Sequence, residues 1–196
     1  MIVKKIFEKD KVVSVWSGGT TSQLYISPEN SVFVDRNFDF RISSAVIEVQ
    51  ESDFTPMPGF SRILMALEGE LEIFHEGHYS KVLKQFEIDE FSGDWKTSSK
   101  GKVVDFNLIM GEGICGSLEY ISIGEDKIID NNFIRWGKLQ FARTIGYYLI
   151  SGEIQIYLNQ KEYELVKGEM ILIKELDDIN KMEINGFGEL IEILIW

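Results

Sequence analysis

The sequence predicts an all-β protein, and two observations carry this prediction. Apolar residues recur at every second position along most of the chain, which is the spacing of a strand with one buried face. Gly, Asn and Asp separate the segments that show this spacing, and these residues favour turns. Helical patterns are scarce, and the most plausible helical turn lies near residues 177–181. The strands are predicted at residues 38–49, 63–74, 103–110, 116–123, 147–158, 170–173 and 190–196.

Two of these segments show the alternation most clearly. In residues 63–74 the odd positions other than Gly69 are apolar, whereas the even positions 68, 70 and 72 are acidic. In residues 38–49 one face is apolar, while the other begins with Asp39, Arg41 and Ser43 and then becomes apolar. This second face fits a strand that lines a barrel with a polar mouth and a packed base. The alternative is a solvated strand end with an Asp–Arg pair on the surface.

An internal repeat predicts that the strands form two similar barrels. Residues 67–74 (LEGELEIF) align with residues 150–157 (ISGEIQIY) at an offset of 152 − 69 = 83 positions. Each half then has a second glycine before an acid, at 93–94 and at 168–169. The separations are 93 − 69 = 24 and 168 − 152 = 16, so we expect about eight extra loop residues in the first half.

This order of strands and turns is typical of a cupin barrel, and two copies predict a bicupin of two small antiparallel jelly-roll barrels. We expect the first barrel, with the candidate ligand pocket, at residues 1–124, and a second, smaller and structural barrel at residues 125–196. A chance match between two degenerate octamers is the alternative explanation of the repeat.

The charge balance excludes several classes of function. The chain has 20 Lys plus Arg and 32 Asp plus Glu, a formal net charge of −12, and it has no concentrated basic patch. We therefore expect no nucleic-acid partner. No apolar run reaches the roughly 20 residues needed to span a bilayer, and the N-terminus does not resemble a secretory signal. We expect no membrane partner and a cytoplasmic location.

Histidine is too scarce for a typical cupin metal site. Such sites use two or three histidines and a carboxylate, whereas this chain has only His75 and His78. Both fall in a hairpin turn and are expected to be solvated. A His-x-His pair would be expected before the Gly69 strand, but residues 54–58 there read FTPMP. We expect no metal and no other cofactor.

Two arginines and an amide suggest a site for a small carboxylate. Arg41 lies on the polar face of residues 38–49, and Arg62 follows the rigid corner at residues 56–59 (PMPG). Asp105 and Asn107 share one face of residues 103–110. A guanidinium binds a carboxylate through two hydrogen bonds, and an amide offers both a donor and an acceptor.

Six motifs, in order along the chain, resemble those of the HutD/Ves family. They are WSGGTT at 16–21, FDFRISSA at 38–45, FTPMPGFSR at 54–62, LEG at 67–69, FSGD at 91–94 and DFNLIM at 105–110. The match is strong over about residues 12–123 and weak beyond them, and Phe40 replaces the Trp that is usual in the family. The resemblance implies a bicupin without metal histidines that is linked to bacterial histidine utilisation. It also implies a binding or regulatory accessory that recognises a small molecule such as urocanate or an N-substituted glutamate.

We therefore expect a non-catalytic protein that binds a small anionic metabolite; a homodimer is one assembly that it could form. A metal-independent isomerase or lyase, with Asp39 or Asp105 as the general base, is the alternative. A scaffold protein whose strand edges pair between subunits is a third hypothesis. The expected ligand-binding residues are Trp16, Arg41, Ser43, Arg62, Asp105 and Asn107.

Overall fold

The computed structural model describes residues 1–124, 129–130, 142–176, 179 and 181–196. Among these residues there is no α-helix, and no helix is long and apolar enough to cross a membrane. The helical turn expected near residues 177–181 falls mostly outside the described residues. The strands are β1 (Ile2–Ile6), β2 (Val12–Trp16), β3 (Gly19–Ser27), β4 (Phe40–Ile47), β5 (Glu51–Asp53), β6 (Ser61–Glu68), β7 (Leu71–His75), β8 (Tyr79–Leu83), β9 (Ile88–Ser92), β10 (Thr97–Lys100), β11 (Val103–Met110), β12 (Gly116–Ile123), β13 (Ile129–Asp130), β14 (Thr144–Leu158), β15 (Lys161–Val166), β16 (Met170–Lys174) and β17 (Met182–Ile195).

The chain divides into two compact units, but not at the boundary that the sequence suggested. The N-terminal barrel comprises residues 11–114, and the C-terminal barrel comprises residues 1–10 and 115–196. The sequence predicted the first barrel at residues 1–124. Residues 1–10 and 115–124 belong instead to the C-terminal barrel. The reason is strand pairing, because β1 pairs with β16 and β12 pairs with β17 over its full length.

The N-terminal barrel is built from two antiparallel sheets. One has the order β2-β3-β4-β11-β6-β9, and the other has the order β5-β10-β7-β8. Strand β11 matches the sequence prediction, and β4 begins and ends two residues inside its predicted limits. An apolar cluster fills part of the interior and consists of Ile47, Leu64, Ala66, Leu71, Ile73, Leu83, Phe91 and Val103.

The C-terminal barrel is one seven-stranded sheet with the order β1-β16-β14-β17-β12, to which β13 and β15 are added at β17 and β14. Its core is apolar. The buried core residues are Ile123, Ile145, Tyr147, Leu149, Ile154, Ile156, Leu158, Leu165, Ile171, Ile173, Met182, Ile184, Leu190 and Leu194.

The two aligned glycines of the repeat occupy equivalent positions. Gly69 has a φ of +85° and Gly152 a φ of +86°, a region that L side chains rarely adopt. A Cβ atom would lie 2.7 Å from the carbonyl oxygen of Lys102 at Gly69, and 2.2 Å from that of Phe187 at Gly152. Each barrel therefore needs glycine here both for the backbone conformation and for the close approach of a neighbouring strand.

The second pair of turns in the repeat was aligned wrongly from the sequence. The structural equivalent of residues 168–169 is the turn at residues 86–87, not the one at residues 93–94. Each of these turns makes the same two backbone hydrogen bonds to strand residues that are 149 − 66 = 83 positions apart. In the C-terminal barrel, Gly168 N donates to Leu149 O (2.8 Å) and Leu149 N donates to Glu169 O (3.0 Å). In the N-terminal barrel, Phe86 N donates to Ala66 O (2.7 Å) and Ala66 N donates to Glu87 O (3.2 Å).

The expected insertion of eight residues is therefore absent at this point of the N-terminal barrel. The equivalent turns are 168 − 86 = 82 positions apart. Phe86 adopts a φ of +65°, a conformation for which glycine is the usual residue, and so the sequence carries no glycine signal at this turn.

Candidate functional site

A cavity of about 280 Å³ opens inside the N-terminal barrel. Its walls come mainly from β4, β11 and residues 52–57, with two residues of β2 and Arg62 of β6 adding to the lining. All six residues expected to form a ligand site line this one cavity. They are Trp16, Arg41, Ser43, Arg62, Asp105 and Asn107.

Strand register explains why these side chains meet. Strand β11 lies between β4 and β6, and its residue Ile109 is paired with Arg41 of β4 on one side and with Arg62 of β6 on the other. The three residues therefore form one row across the sheet. Asn107 and Asp105 lie two and four residues before Ile109 and therefore point to the same face. The alternation that the sequence shows in β4 and β11 thus places two guanidinium groups, an amide and a carboxyl on one wall.

Arg41 is held in a fixed orientation by its neighbours. Its side chain is buried, its Nε donates a hydrogen bond of 2.8 Å to Gln23 Oε1, and its Nη1 donates one of 3.0 Å to Ser43 Oγ. The ring centroid of Phe33 lies 4.2 Å from the guanidinium carbon, within the range of a cation–π contact. Burial lowers the pKa of Arg41 to about 10, against the opposing effect of Asp105, so the group stays cationic at neutral pH.

Arg62 is buried between two aromatic rings. The ring centroids of Phe54 and Phe91 lie 4.8 and 5.3 Å from its guanidinium carbon. Its Nε is buried and has no hydrogen-bond partner in the described part of the chain. Burial lowers the pKa of Arg62 to about 10, against the opposing effect of Asp105 and with a smaller lowering effect from Arg41. A cationic donor without an acceptor is costly in a protein interior, which makes this atom a strong candidate for contact with a ligand.

Asp105 lies on the same wall as the two arginines and is only 3% exposed. Burial raises the pKa of its carboxyl to about 7, although Arg62, a hydrogen bond from the backbone N–H of Ala45 and Arg41 all act to lower it. Its Oδ1 is buried and lacks a hydrogen-bond partner among the described residues, as does Oδ1 of Asn107. The cavity wall therefore carries a second and a third polar atom whose hydrogen bonds are not made within the described protein.

Three aromatic residues shape the cavity, and the sequence prediction included only one of them. Trp16 is 36% exposed and lines the cavity from β2, where its ring packs over Gly18; a Cβ atom on Gly18 would lie 2.0 Å from that ring. Phe33, in a 3₁₀ turn at Phe33–Asp35, and Phe54 also line the cavity. Both lie in loops, where strand periodicity carries no information about the direction of a side chain.

Asp39 is not part of this site. It is exposed, it precedes the first residue of β4, and it is absent from the cavity wall. The strand begins at Phe40, so the alternation that places Arg41 and Ser43 inside the barrel does not extend to Asp39. Of the two carboxyl groups expected as a general base, only Asp105 reaches the cavity.

The expectation that both histidines are solvated turn residues was wrong for His75. His75 is 2% exposed, with Nδ1 2.8 Å from Thr97 Oγ1 and Nε2 2.8 Å from Asp89 Oδ2. Tyr79 Oη donates a hydrogen bond of 3.0 Å to the other oxygen of Asp89. His75 is the last residue of β7 and continues its inward face, whereas His78 is exposed in the turn. His75 thus connects strands of the two sheets of the N-terminal barrel.

Across the described residues, no three or more His, Cys, Asp or Glu side chains form a group that could hold a metal ion. The charged side chains that line the cavity are two buried arginines, the exposed Asp53 and Asp105, whose carboxyl burial favours in its neutral form. Such a wall suits an anion.

Comparisons with known proteins agree with the fold and indicate a family. The model of the HutD family matches residues 8–191 of the chain. A search of curated protein sequences finds no significant match.

Several solved structures share the whole fold at low sequence identity. A conserved protein of unknown function from Pseudomonas aeruginosa PAO1 is 18% identical, with 100% of this chain and 99% of that chain covered and a TM-score of 0.83. HutD from Pseudomonas fluorescens SBW25 is also 18% identical, with both chains covered to 100% and a TM-score of 0.73. The bacterial pirin YhhW from Escherichia coli, solved with nickel(II), is 11% identical, with 98% of each chain covered and a TM-score of 0.69. These likenesses confirm the predicted fold class, an all-β bicupin of antiparallel jelly-roll barrels.

Proposed function

The chain belongs to the HutD family, and from this premise and the chemistry of the cavity we propose that its N-terminal barrel binds a small carboxylate. We propose a non-catalytic role, as a binding or regulatory accessory linked to histidine utilisation. The C-terminal barrel has a structural role in this proposal.

One observation carries the proposal, namely two buried arginines on the wall of one cavity. Arg41 is fixed by Gln23 and Ser43, and Arg62 presents a buried Nε that no described residue accepts. A carboxylate provides the acceptor that this wall lacks, and burial strengthens charge-assisted hydrogen bonds. The cavity volume of about 280 Å³ suits a small acid rather than a polymer.

The net charge of −12 does not oppose this proposal. Salt screens the charges on exposed turns and strand faces over about 8 Å at physiological ionic strength, so these charges repel a ligand in the cavity only weakly. The two guanidinium groups would contact the ligand directly. The polar cavity also distinguishes this proposal from a scaffold role, for which we would expect an interior packed entirely by apolar side chains.

Thermal unfolding with a panel of small acids tests the proposal. The panel should include urocanate, N-substituted glutamates, formate and several dicarboxylates. A bound acid at a hundredfold excess over its Kd stabilises the folded protein by about 2.7 kcal/mol. This stabilisation corresponds to a rise in Tm of roughly 5–10 °C for a chain of this size. An unchanged Tm across the whole panel would refute the proposal.

Two arginine variants and a matched control locate the site. Arg41→Ala should abolish the Tm shift, and Arg62→Lys should weaken it because an ammonium group cannot reproduce the planar fork of donors. Arg143→Ala changes an exposed arginine in the C-terminal barrel and should leave the shift intact. An equal loss of binding in all three variants would exclude the cavity as the site.

A second candidate function rests on Asp105. A buried carboxyl with a pKa of about 7, next to two cationic groups, is suited to exchange a proton with a small acid while an arginine stabilises the anion that forms. This arrangement favours a metal-independent isomerase or lyase. Turnover of a panel acid that persists in chelator and is lost in Asp105→Asn would support it over binding alone.

A further inference from the structure

Three buried polar atoms on the cavity wall lack hydrogen-bond partners among the described residues. They are Nε of Arg62, Oδ1 of Asp105 and Oδ1 of Asn107. The first is a donor that a carboxylate satisfies directly. The carboxyl oxygen of Asp105 poses a different problem, because a ligand carboxylate brings only further acceptors into the cavity.

Neither arginine supplies the missing hydrogen bond to Asp105. Arg41 directs Nε and Nη1 to Gln23 and Ser43, and Arg62 makes no hydrogen bond through Nε. The charged groups that face Asp105 are Arg41 from β4, Arg62 from β6 and Asp53, which lines the same cavity from the end of β5. On β11 itself, the nearest residues on the same face are Val103 and Asn107, both neutral.

A ligand anion and an ionised Asp105 would thus share one small cavity as two carboxylates. Two such groups in one buried site do not both ionise readily, and one of them retains a proton. The protonated group then becomes a donor, and the hydrogen bond between an acid and a carboxylate is short and strong.

We propose that Asp105 binds the ligand in its protonated form and donates a hydrogen bond from its unpartnered oxygen to the ligand carboxylate. Where Asp105 is ionised in the free protein, each anion then enters together with one proton from solvent, so that Asp105 carboxylate, H⁺ and ligand anion combine into a carboxylic acid–carboxylate pair. Asp105 becomes the residue that makes binding depend on pH and selects ligands able to accept a hydrogen bond. This inference rests on the proposed carboxylate binding.

The raised pKa of Asp105, about 7 in the free protein, sets the pH range of the effect. A bound anion raises this pKa further, and so affinity is constant below pH 7 until the ligand itself protonates. Above pH 7 each unit of pH weakens binding up to tenfold, until the pH passes the pKa of Asp105 in the complex.

Formate is the best probe because its only titratable group stays ionised above about pH 6. Its Kd is measured from tryptophan fluorescence between pH 6 and 9, since Trp16 lines the cavity. Calorimetric titration in phosphate and in Tris, buffers of different ionisation enthalpy, gives the number of protons taken up. We expect close to one proton per formate at pH 8, and a Kd that rises with pH above 7.

Asp105→Asn separates the donor role from other roles of this side chain. Its amide donates at every pH, so we expect binding to persist, with no proton uptake and no pH dependence between 6 and 9. Asp39→Asn removes an exposed carboxyl outside the cavity and should behave like the unmodified protein.

The outcomes distinguish this inference from the proposed function. Formate binding without proton uptake in the unmodified protein, a measurement that needs no variant, overturns the inference and leaves carboxylate binding in place. A folded Asp105→Asn protein that no longer binds formate also overturns it. If neither formate nor any panel acid binds, the proposed function fails, and the inference fails with it.

Discussion

Replacement of Asp105 by Asn should stabilise the unliganded protein at neutral and alkaline pH. The folded-state pKa of Asp105 is about 7, against an ordinary value of 3.8. The folded protein therefore holds this proton more tightly than the unfolded chain does. The stability that the protonated carboxyl contributes is fully present below pH 3.8 and is lost as pH rises through 7.

The magnitude follows from the size of the shift. A difference of about three pKa units, at about 1.4 kcal/mol per unit, destabilises the folded protein by up to about 4 kcal/mol above pH 7. Between pH 5 and pH 8 the cost rises by about 2.5 kcal/mol, because part of it is already present at pH 5. An isosteric amide is never ionised and avoids the cost, while it can still accept the hydrogen bond from Ala45.

Urea unfolding of both proteins from pH 5 to pH 8 measures the effect. The difference in unfolding free energy between Asp105→Asn and the unmodified protein should widen by about 2.5 kcal/mol over this range, since other titrating groups cancel. Equal m-values would show that the change lies in stability and not in the extent of unfolding. A difference that stays constant within 0.5 kcal/mol or so would refute the raised pKa.

Three further substitutions test other parts of the structure. Burial raises the pKa of Glu192 to about 6, so Glu192→Gln should stabilise the protein by up to about 2 kcal/mol at pH 8 and by much less at pH 4.5, as urea unfolding will show; a destabilised variant at pH 8 would contradict this. Gly152→Ala should lower the Tm more than Gly113→Ala, because both residues have positive φ but only Gly152 has a carbonyl oxygen 2.2 Å from the Cβ position; equal losses would argue against the close strand contact. His75→Ala should destabilise the protein by roughly 2–4 kcal/mol, since it opens a cavity and leaves Oδ2 of the buried Asp89 without its contact to His75, whereas the exposed His78→Ala should cost less than about 0.5 kcal/mol in the same unfolding assay; similar effects would place His75 in solvent.

The central strands of the N-terminal barrel were predictable because their periodicity is strong. Strands β4 and β11 alternate between two faces, so the sequence places Arg41 with Ser43 on one face of β4 and Asp105 with Asn107 on one face of β11, while a solvated face of β4 was the alternative. The sequence lacks the register between strands, which a one-residue slip would reverse. Only the structure shows that Arg41 and Arg62 are paired with the same residue of β11.

Contacts made by loops and strand ends could not be predicted in this way. Phe33 and Phe54 stack on the two arginines from segments without periodic pattern. His75 reads as a turn residue because the next two positions, Glu76 and Gly77, form the turn, although its side chain continues the inward face of β7. In each case the missing information is the position of a partner that is distant in sequence.

Strand register also explains why, among the described residues, the candidate anion site of the N-terminal barrel has no equivalent in the C-terminal barrel. The repeat aligns β6 of the N-terminal barrel with β14 of the C-terminal barrel. Because β6 pairs with β11 and β14 pairs with β17, each residue of β11 has an equivalent residue in β17. The pairing of β4 with β11 and of β12 with β17 extends the equivalence by one strand. The equivalents of Arg41, Arg62, Asp105 and Asn107 are, in that order, Ser117, Ile145, Leu190 and Glu192.

Neither arginine therefore has a cationic equivalent in the C-terminal barrel. Ile145 and Leu190 belong to its apolar core, and Glu192 would repel an anion or have to hold a proton. The same backbone plan thus supports a cationic cavity in one barrel and an apolar core in the other, because four inward positions differ. If carboxylate binding is the function, this difference predicts one ligand per chain, held in the N-terminal barrel, and a C-terminal barrel that contributes packing alone.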